Sequence, residues 1–287
     1  MIEYLLNNNV LHIRGAEDFS LERSCYCGQA FRWTDDGKIF SCVIGNKLIH
    51  VTKDKDSLCI YPCDEHSIEG IINYFDLHRD YNAIEKNMEQ DEILSKCIPY
   101  AKGIRVFNQA PFETLISFII SANNNVKRIS LTINNICKAC GEKMITEDGE
   151  VFYTFPTPQR LSEMTVEQLR ALGTGYRDSY IKQTSQAIVN GFCLEQLRDI
   201  PYCEAKKEIC KLSGVGSKVA DCVLLFSLGH SEAFPMDVWM KRAVSKMFFD
   251  GETPNKRQFE ELMERLGKDA GKIQQYIFHY ARETGLK

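Results

Sequence analysis

Lys218 and Asp237 are the side chains whose settings in this sequence point most directly to covalent chemistry. Lys218 follows the turn Ser213-Gly214-Val215-Gly216 and lies one residue into a run, Ser217 to Leu228, whose apolar positions Val219, Val223, Leu224 and Leu228 recur at helical spacing. An amine attacks carbon only when deprotonated, and burial or a helix N-terminal dipole favours that form. Asp237 follows Pro235 and opens the run VWMKRAVSKM, where an N-cap carboxylate would be held ionised by the backbone N–H groups it accepts.

Three helices must position that pair. The stretch from Glu204 to Met247 reads as helix, tight turn, helix, loop, helix. Glu204 to Leu212 is helix-forming and stops at Gly214 and Gly216, which let the backbone turn sharply and approach another surface closely. Ser217 is expected to cap the second helix. The turn then aims unpaired N–H groups outward, making an anion site that fits a DNA phosphate. A phosphate cradle, a lysine and a fixed carboxylate together imply chemistry on a nucleic-acid sugar. Two blander readings stay open on these residues. A helix-hairpin-helix also serves as a non-catalytic DNA-binding module, and a lysine behind a glycine turn also serves as a phosphate contact.

Composition sets bounds on the whole. With 287 residues, 44% of them hydrophobic, the chain can bury one large core or two modest ones, and two or three subdomains are expected. A net charge of −4 and a pI near 5.9 argue against non-specific coating of nucleic acid, while still allowing a basic face. No run approaches the roughly 18 apolar residues of a membrane span, and Met1 leads into a segment without a basic n-region or long apolar core. A reducing, cytoplasmic setting follows, with most of the 12 cysteines as free thiols. Cys25 with Cys27, and Cys137 with Cys140, have the form of metal half-sites, but no second pair stands at zinc-finger spacing.

From Val10 to Cys63 the pattern alternates, with hairpin signals at Asp36-Gly37 and Gly45-Asn46 and a further turn at Asp54 to Ser57. Strands are expected over Phe31–Trp33, Ile39–Val43, Lys47–Thr52 and Leu58–Tyr61. Helical periodicity begins at Ile68–Leu77 and Ile84–Met88 and persists to the end. The prediction is an α+β chain: an antiparallel sheet domain over residues 1–98, then a mainly helical region over 99–287 in two subdomains with a cleft between them. Phe112–Ala122 reads as a helix followed by Asn123-Asn124-Asn125, more asparagines than capping needs and able to read base edges. Thr165 and Gln168 form a capping box. Beyond it, Leu172-Gly173-Thr174-Gly175 is a second glycine turn that carries Tyr176, which can act as a wedge or pack on a helix, and Arg177, which can read a base or lie solvated. Gln274 and Phe278 lie four apart, so one can bond the edge and the other stack on the face of the same base, with core packing of Phe278 as the alternative. In Gly28-Gln29-Ala30-Phe31-Arg32-Trp33 a glycine beside aromatics permits close approach to a flat ligand. On the residues alone an ordinary strand start with an aromatic core is favoured there.

Taken together, that last stretch, Asn123 to Arg128, LSGVGSKVADC, Pro235 to Val238 and Gln274 to Phe278 resemble the eukaryote-type 8-oxoguanine DNA glycosylase/lyases of the helix-hairpin-helix glycosylase superfamily, over most of the chain. The resemblance implies a bifunctional repair enzyme acting as a monomer on duplex DNA that holds 8-oxoguanine opposite cytosine. It makes Lys218 the Schiff-base nucleophile and Asp237 the carboxylate assisting base loss and later proton transfers. It gives Gly28 a carbonyl facing the N7–H that 8-oxoguanine has and guanine lacks. It places Cys222 and Phe278 on either side of the flipped base, with Gln274 on its Watson–Crick edge. Asn123, Arg128 and Arg177 would read the orphaned cytosine and Tyr176 would fill the gap. The backbone carbonyls of Cys210, Leu212 and Val215 would hold a structural cation, with no redox cofactor or catalytic metal required. No cysteine follows Cys222, so no iron–sulfur loop is expected. Lys218 and Cys222, one turn apart, would form either an ammonium–thiolate pair or a lysine beside a small buried apolar residue. Trp239 departs from the family, whose animal members carry a histidine there near a DNA phosphate. The rivals are a glycosylase of the same fold for another base and a non-enzymatic DNA-binding module.

Overall fold

The computed structural model describes residues 2–54 and 57–286. Strands β1 (Glu3–Asn7) and β2 (Val10–Arg14) form a hairpin on Asn8-Asn9, both at positive φ, the two-residue turn whose twist matches that of the paired strands. With β3 (Thr34–Asp35), β4 (Phe40–Ile44), β5 (Lys47–Asp54) and β6 (Ser57–Tyr61) they make a six-stranded antiparallel sheet in the order β1-β2-β6-β5-β4-β3. The Gly45-Asn46 turn joins β4 to β5 as expected, with Ile44 paired to Lys47. The middle of the Asp54–Ser57 turn lies outside the described residues. Alternate residues Leu11, Ile13, Val51, Leu58 and Ile60 face inward onto helices α1 (Leu21–Tyr26) and α2 (Ile68–Tyr74) and bury one face of the sheet.

Phe31–Trp33 is not a strand, contrary to expectation: it is an irregular link that enters β3 only at Thr34. The reason is where its polar groups go. Arg32 donates to Glu113 and to the Tyr153 carbonyl in the helical half, and Trp33 donates to the Tyr74 hydroxyl at the end of α2, so these side chains tie the segment to elements other than a neighbouring strand.

The remaining helices are α3 (Tyr81–Glu89), α4 (Ile98–Ala101), α5 (Pro111–Ser121), α6 (Val126–Cys140), α7 (Pro158–Glu163), α8 (Val166–Leu169) and α9 (Asp178–Val189). They are followed by α10 (Tyr202–Ile209), α11 (Ser217–Ser227), α12 (Val238–Phe248), α13 (Lys256–Leu266) and α14 (Ala270–Glu283). A short pair, β7 (Lys143–Ile145) and β8 (Val151–Tyr153), follows α6. The Thr165–Gln168 capping box opens α8 as the sequence predicts. One core lies under the sheet, and a second joins α5, α6, α9, α10 and α11. A third joins α3 and the 94–104 segment to α12, α13 and α14, so it straddles residue 98.

Candidate active site

The helix-hairpin-helix is α10, the 210–216 turn and α11. Its N-cap is Gly216, not Ser217: Gly216 has extended backbone, no side chain caps the helix, and Ser217 is already the first helical residue. The two glycines serve different needs. Gly214 has φ +78, and a Cβ there would lie 2.7 Å from the Cβ of Tyr180, so α9 packs directly on its backbone. Gly216 is exposed, and a Cβ there would meet nothing within 4 Å. Its bareness therefore keeps the helix N-terminus open to something outside the chain. The turn is braced from α9, where Thr184 donates to the Ser213 carbonyl at 2.7 Å. Behind it, buried Asp221 on α11 takes a 2.8 Å ion pair from Lys206 and a 2.7 Å bond from the Tyr202 hydroxyl, joining the two hairpin helices. Burial raises the Asp221 pKa, and Lys206 opposes that rise.

α11 projects Lys218 and, one turn later, Cys222 toward α5 and α14. The Lys218 Nζ donates to the Ser121 hydroxyl at 3.1 Å and sits 4.8 Å from the centre of the Phe118 ring. Asp237 caps α12 as predicted, accepting the Met240 N–H at 2.8 Å. Lys218, Asp237, Cys222, Gln274, Phe278 and Gly28 all line one cavity, with Cys27, Phe118, Phe226, Pro235 and Gln275 completing its wall. Its volume is about 60 Å³, space for a few waters. A flipped purine therefore requires the walls to part. Burial pushes the Cys222 thiol up to about 12 despite Lys218 beside it, so Cys222 is a neutral apolar wall and not one half of an ammonium–thiolate pair.

Gly28 reaches the cavity at φ +83, just past the end of α1. Its neighbour Gln29 is fully buried: Nε2 donates to the carbonyls of Ser24 and Arg105, and Oε1 accepts the Phe107 N–H, all at 2.8 Å. Contacts between the sheet domain and the helices hold this wall in place: Arg282 on α14 donates to the Tyr26 carbonyl at 2.8 Å, and Phe31 meets Phe118 edge-on. The sheet domain thus supplies one wall and α5, α11 and α14 the others.

The remaining predicted residues cluster where α5 ends. Asn123 is exposed at φ +49, Asn124 returns a bond to the Ile120 carbonyl, and Asn125 caps α6. Two of the three asparagines therefore do local capping work. Arg177 is buried, donating to the carbonyls of Ala122, Asn123 and Thr174, so in this state it braces the turn that presents Asn123. Arg128 is exposed and has no side-chain partner among the described residues. Tyr176 is 55% exposed, with its ring 4.3 Å from the Arg177 guanidinium carbon. Trp239 is exposed at the start of α12. The carbonyls assigned to a cation lie in the hairpin turn, where that of Leu212 also accepts the Val215 N–H at 3.2 Å. Among the described residues no three His, Cys, Asp or Glu side chains converge as a metal site, and no helix is long and apolar enough to cross a membrane. Sequence reasoning missed Gln29, Phe118, Ser121 and Gln275. Only Gln275 carried a signal, as a second amide beside Gln274.

Two family models match: the N-terminal domain of 8-oxoguanine DNA glycosylase over residues 12–115, and the HhH-GPD superfamily of base excision DNA repair proteins over residues 116–269. The chain is 35% identical to a probable N-glycosylase/DNA lyase of Methanothermobacter thermautotrophicus, over 76% of each chain. It is 30% identical to the N-glycosylase/DNA lyase of Saccharomyces cerevisiae, over 82% of this chain and 69% of that one. A crystal structure of the Clostridium acetobutylicum 8-oxoguanine glycosylase/lyase, bound to double-stranded DNA with cytosine opposite 8-oxoguanine, superposes with a TM-score of 0.93 at 36% identity and covers 99% of this chain and 98% of that one. With an antiparallel sheet leading into a helix-hairpin-helix, and a lysine and an aspartate on one cavity, the chain belongs to the 8-oxoguanine DNA glycosylase branch of the HhH-GPD base excision repair superfamily.

Proposed function

We propose that the protein is a bifunctional DNA glycosylase and abasic-site lyase that removes 8-oxoguanine from duplex DNA, with cytosine as the preferred opposite base. The observation that carries this reading is the single cavity shared by Lys218, Asp237, Cys222, Gln274, Phe278 and Gly28. The hairpin N–H groups of Gly214 and Gly216 grip the strand, and the lesion nucleotide swings out of the stack into that cavity. Phe278 and Cys222 close on the two faces of the base, Gln274 bonds its Watson–Crick edge, and the Gly28 carbonyl accepts the N7–H. Guanine would set its N7 lone pair against that carbonyl, so one gained hydrogen bond is opposed to one repulsion.

The amine of Lys218 attacks C1′ as the bond from C1′ to the base breaks, and the departing base takes up the proton that the attacking nitrogen sheds. Asp237 offsets the positive charge that develops on the sugar. Loss of the ring oxygen from C1′ gives a Schiff base that acidifies the 2′ position, and transfer of a 2′ proton to the Asp237 carboxylate expels the 3′ phosphate. Every step uses side chains of this chain, with no redox cofactor, catalytic metal or iron–sulfur cluster. The three hairpin carbonyls are oxygen donors suited to a hard cation, which would add positive charge beside the phosphate. Asn123 and Arg128 face the orphaned cytosine, Arg177 joins them once it leaves the Ala122 and Asn123 carbonyls, Tyr176 fills the vacated stack, and Trp239 offers one indole N–H toward the backbone. The enzyme acts as a monomer on cytoplasmic DNA, the nucleoid in a bacterial host. Duplexes carrying 8-oxoguanine opposite each of the four bases test the reading. Fastest strand cleavage opposite cytosine is expected, and no cleavage of any of them refutes it.

A further inference from the structure

One polar atom near the cavity is left unused by this account. Gln275 is 4% exposed and contributes to the cavity wall, and its Oε1 is buried without a hydrogen-bond partner. The direction of that amide follows from a chain of donors and acceptors. The Pro235 carbonyl can only accept, so the Gln274 atom 3.2 Å from it is Nε2. Gln274 therefore turns Oε1 toward Gln275, which must answer with its own Nε2, at 2.7 Å. The free end of Gln275 is then a carbonyl oxygen. A buried acceptor left unpaired is costly, and in a binding cavity it is satisfied when the ligand brings a donor.

The edge of a guanine-type base brings two adjacent donors, N1–H and the 2-amino group. Two residues of the cavity wall offer acceptors joined through one amide, the second lone pair of Gln274 Oε1 and the orphaned Oε1 of Gln275. We propose that Gln275 is a second reader of the base: its Nε2 fixes the Gln274 amide, and its Oε1 accepts the 2-amino group, so the site selects purines bearing both donors. This inference rests on the proposed function, in which the cavity receives a flipped 8-oxoguanine.

Single-turnover excision of 8-oxoguanine and of 8-oxohypoxanthine, which lacks the 2-amino group, tests it in identical duplexes opposite cytosine. Wild-type protein should cut 8-oxoguanine roughly tenfold faster or more, the effect of leaving one buried acceptor unpaired. In Gln275→Met, similar in size but without that acceptor, the ratio should collapse to within about threefold. Loss of the brace on Gln274 slows both substrates alike, so the ratio isolates the direct contact. Gln275→Ala provides the same comparison should the methionine variant melt early. Equal rates on the two lesions in wild type, or a ratio preserved in both variants, overturns the proposal. Failure of the wild type to cut either lesion instead refutes the parent reading, and this one with it.

Discussion

Replacing Gln29 with alanine should be among the most damaging single truncations outside the catalytic pair. The side chain is fully buried and makes three hydrogen bonds to backbone groups. The Ser24 carbonyl would keep the Cys27 thiol as a weak donor at 3.3 Å, but the Arg105 carbonyl and the Phe107 N–H would lose their partner. Two orphaned buried groups at about 1–3 kcal/mol each, with the packing lost, give a destabilisation on the order of 3 kcal/mol. That is a large share of the roughly 5–15 kcal/mol that holds a domain folded. Urea denaturation followed by tryptophan fluorescence reads it directly, because Trp33 is buried in the core beside this segment while the other tryptophan, Trp239, is exposed. Gln29 also fixes the backbone that carries Gly28, so excision of 8-oxoguanine by the folded fraction should fall at least about tenfold. A loss of stability below about 1 kcal/mol, with excision unchanged, would refute the role given to this amide.

The two hairpin glycines should respond differently. Gly214→Ala forces a left-handed φ on a residue with a side chain and drives its Cβ into Tyr180, costing about 1–3 kcal/mol in a thermal or urea melt. Gly216→Ala should leave stability within about 0.5 kcal/mol but weaken binding of an abasic-analogue duplex in anisotropy titrations at fixed salt; identical behaviour of the two variants would contradict the distinction. Cys222 should be nearly inert to iodoacetamide at pH 8, since a thiol pushed up to about 12 is thiolate in about one molecule in ten thousand. Its raised value means that protonation holds throughout the range below about 12 and that labelling quickens about tenfold per pH unit; labelling at pH 8 as fast as the exposed Cys203 would overturn the neutral-wall assignment.

What was legible in the sequence is what local spacing determines. The Gly45-Asn46 hairpin, the Thr165 and Asn125 caps and the N-cap role of Asp237 follow from residues a few positions apart. Lys218 and Cys222 share a helix face for the same reason. Phe31–Trp33 departs from the expected strand because the contacts governing this segment are remote: neighbouring Gln29 bonds residues 76 and 78 positions away, and Arg32 bonds Glu113, 81 away. Serine favours the N-cap, which points to Ser217, yet the extended backbone of that position falls on Gly216, where bareness leaves the helix end open. Arg177 looked like a solvent-facing reader, and nothing in its neighbours announces the carbonyls of Ala122 and Asn123 that bury it. Gln275 escaped notice because the meaning of its amide depends on Pro235, reached only through Gln274.

The central claim is that the amine of Lys218 bonds covalently to the sugar of the extruded nucleotide. Borohydride reduction during turnover on an 8-oxoguanine duplex measures this most directly. Wild-type protein should be captured on the DNA, with the adduct mapping to the peptide that holds Lys218, and Lys218→Gln should give none. Capture that persists in Lys218→Gln, or an active wild type that is never captured, would contradict the account.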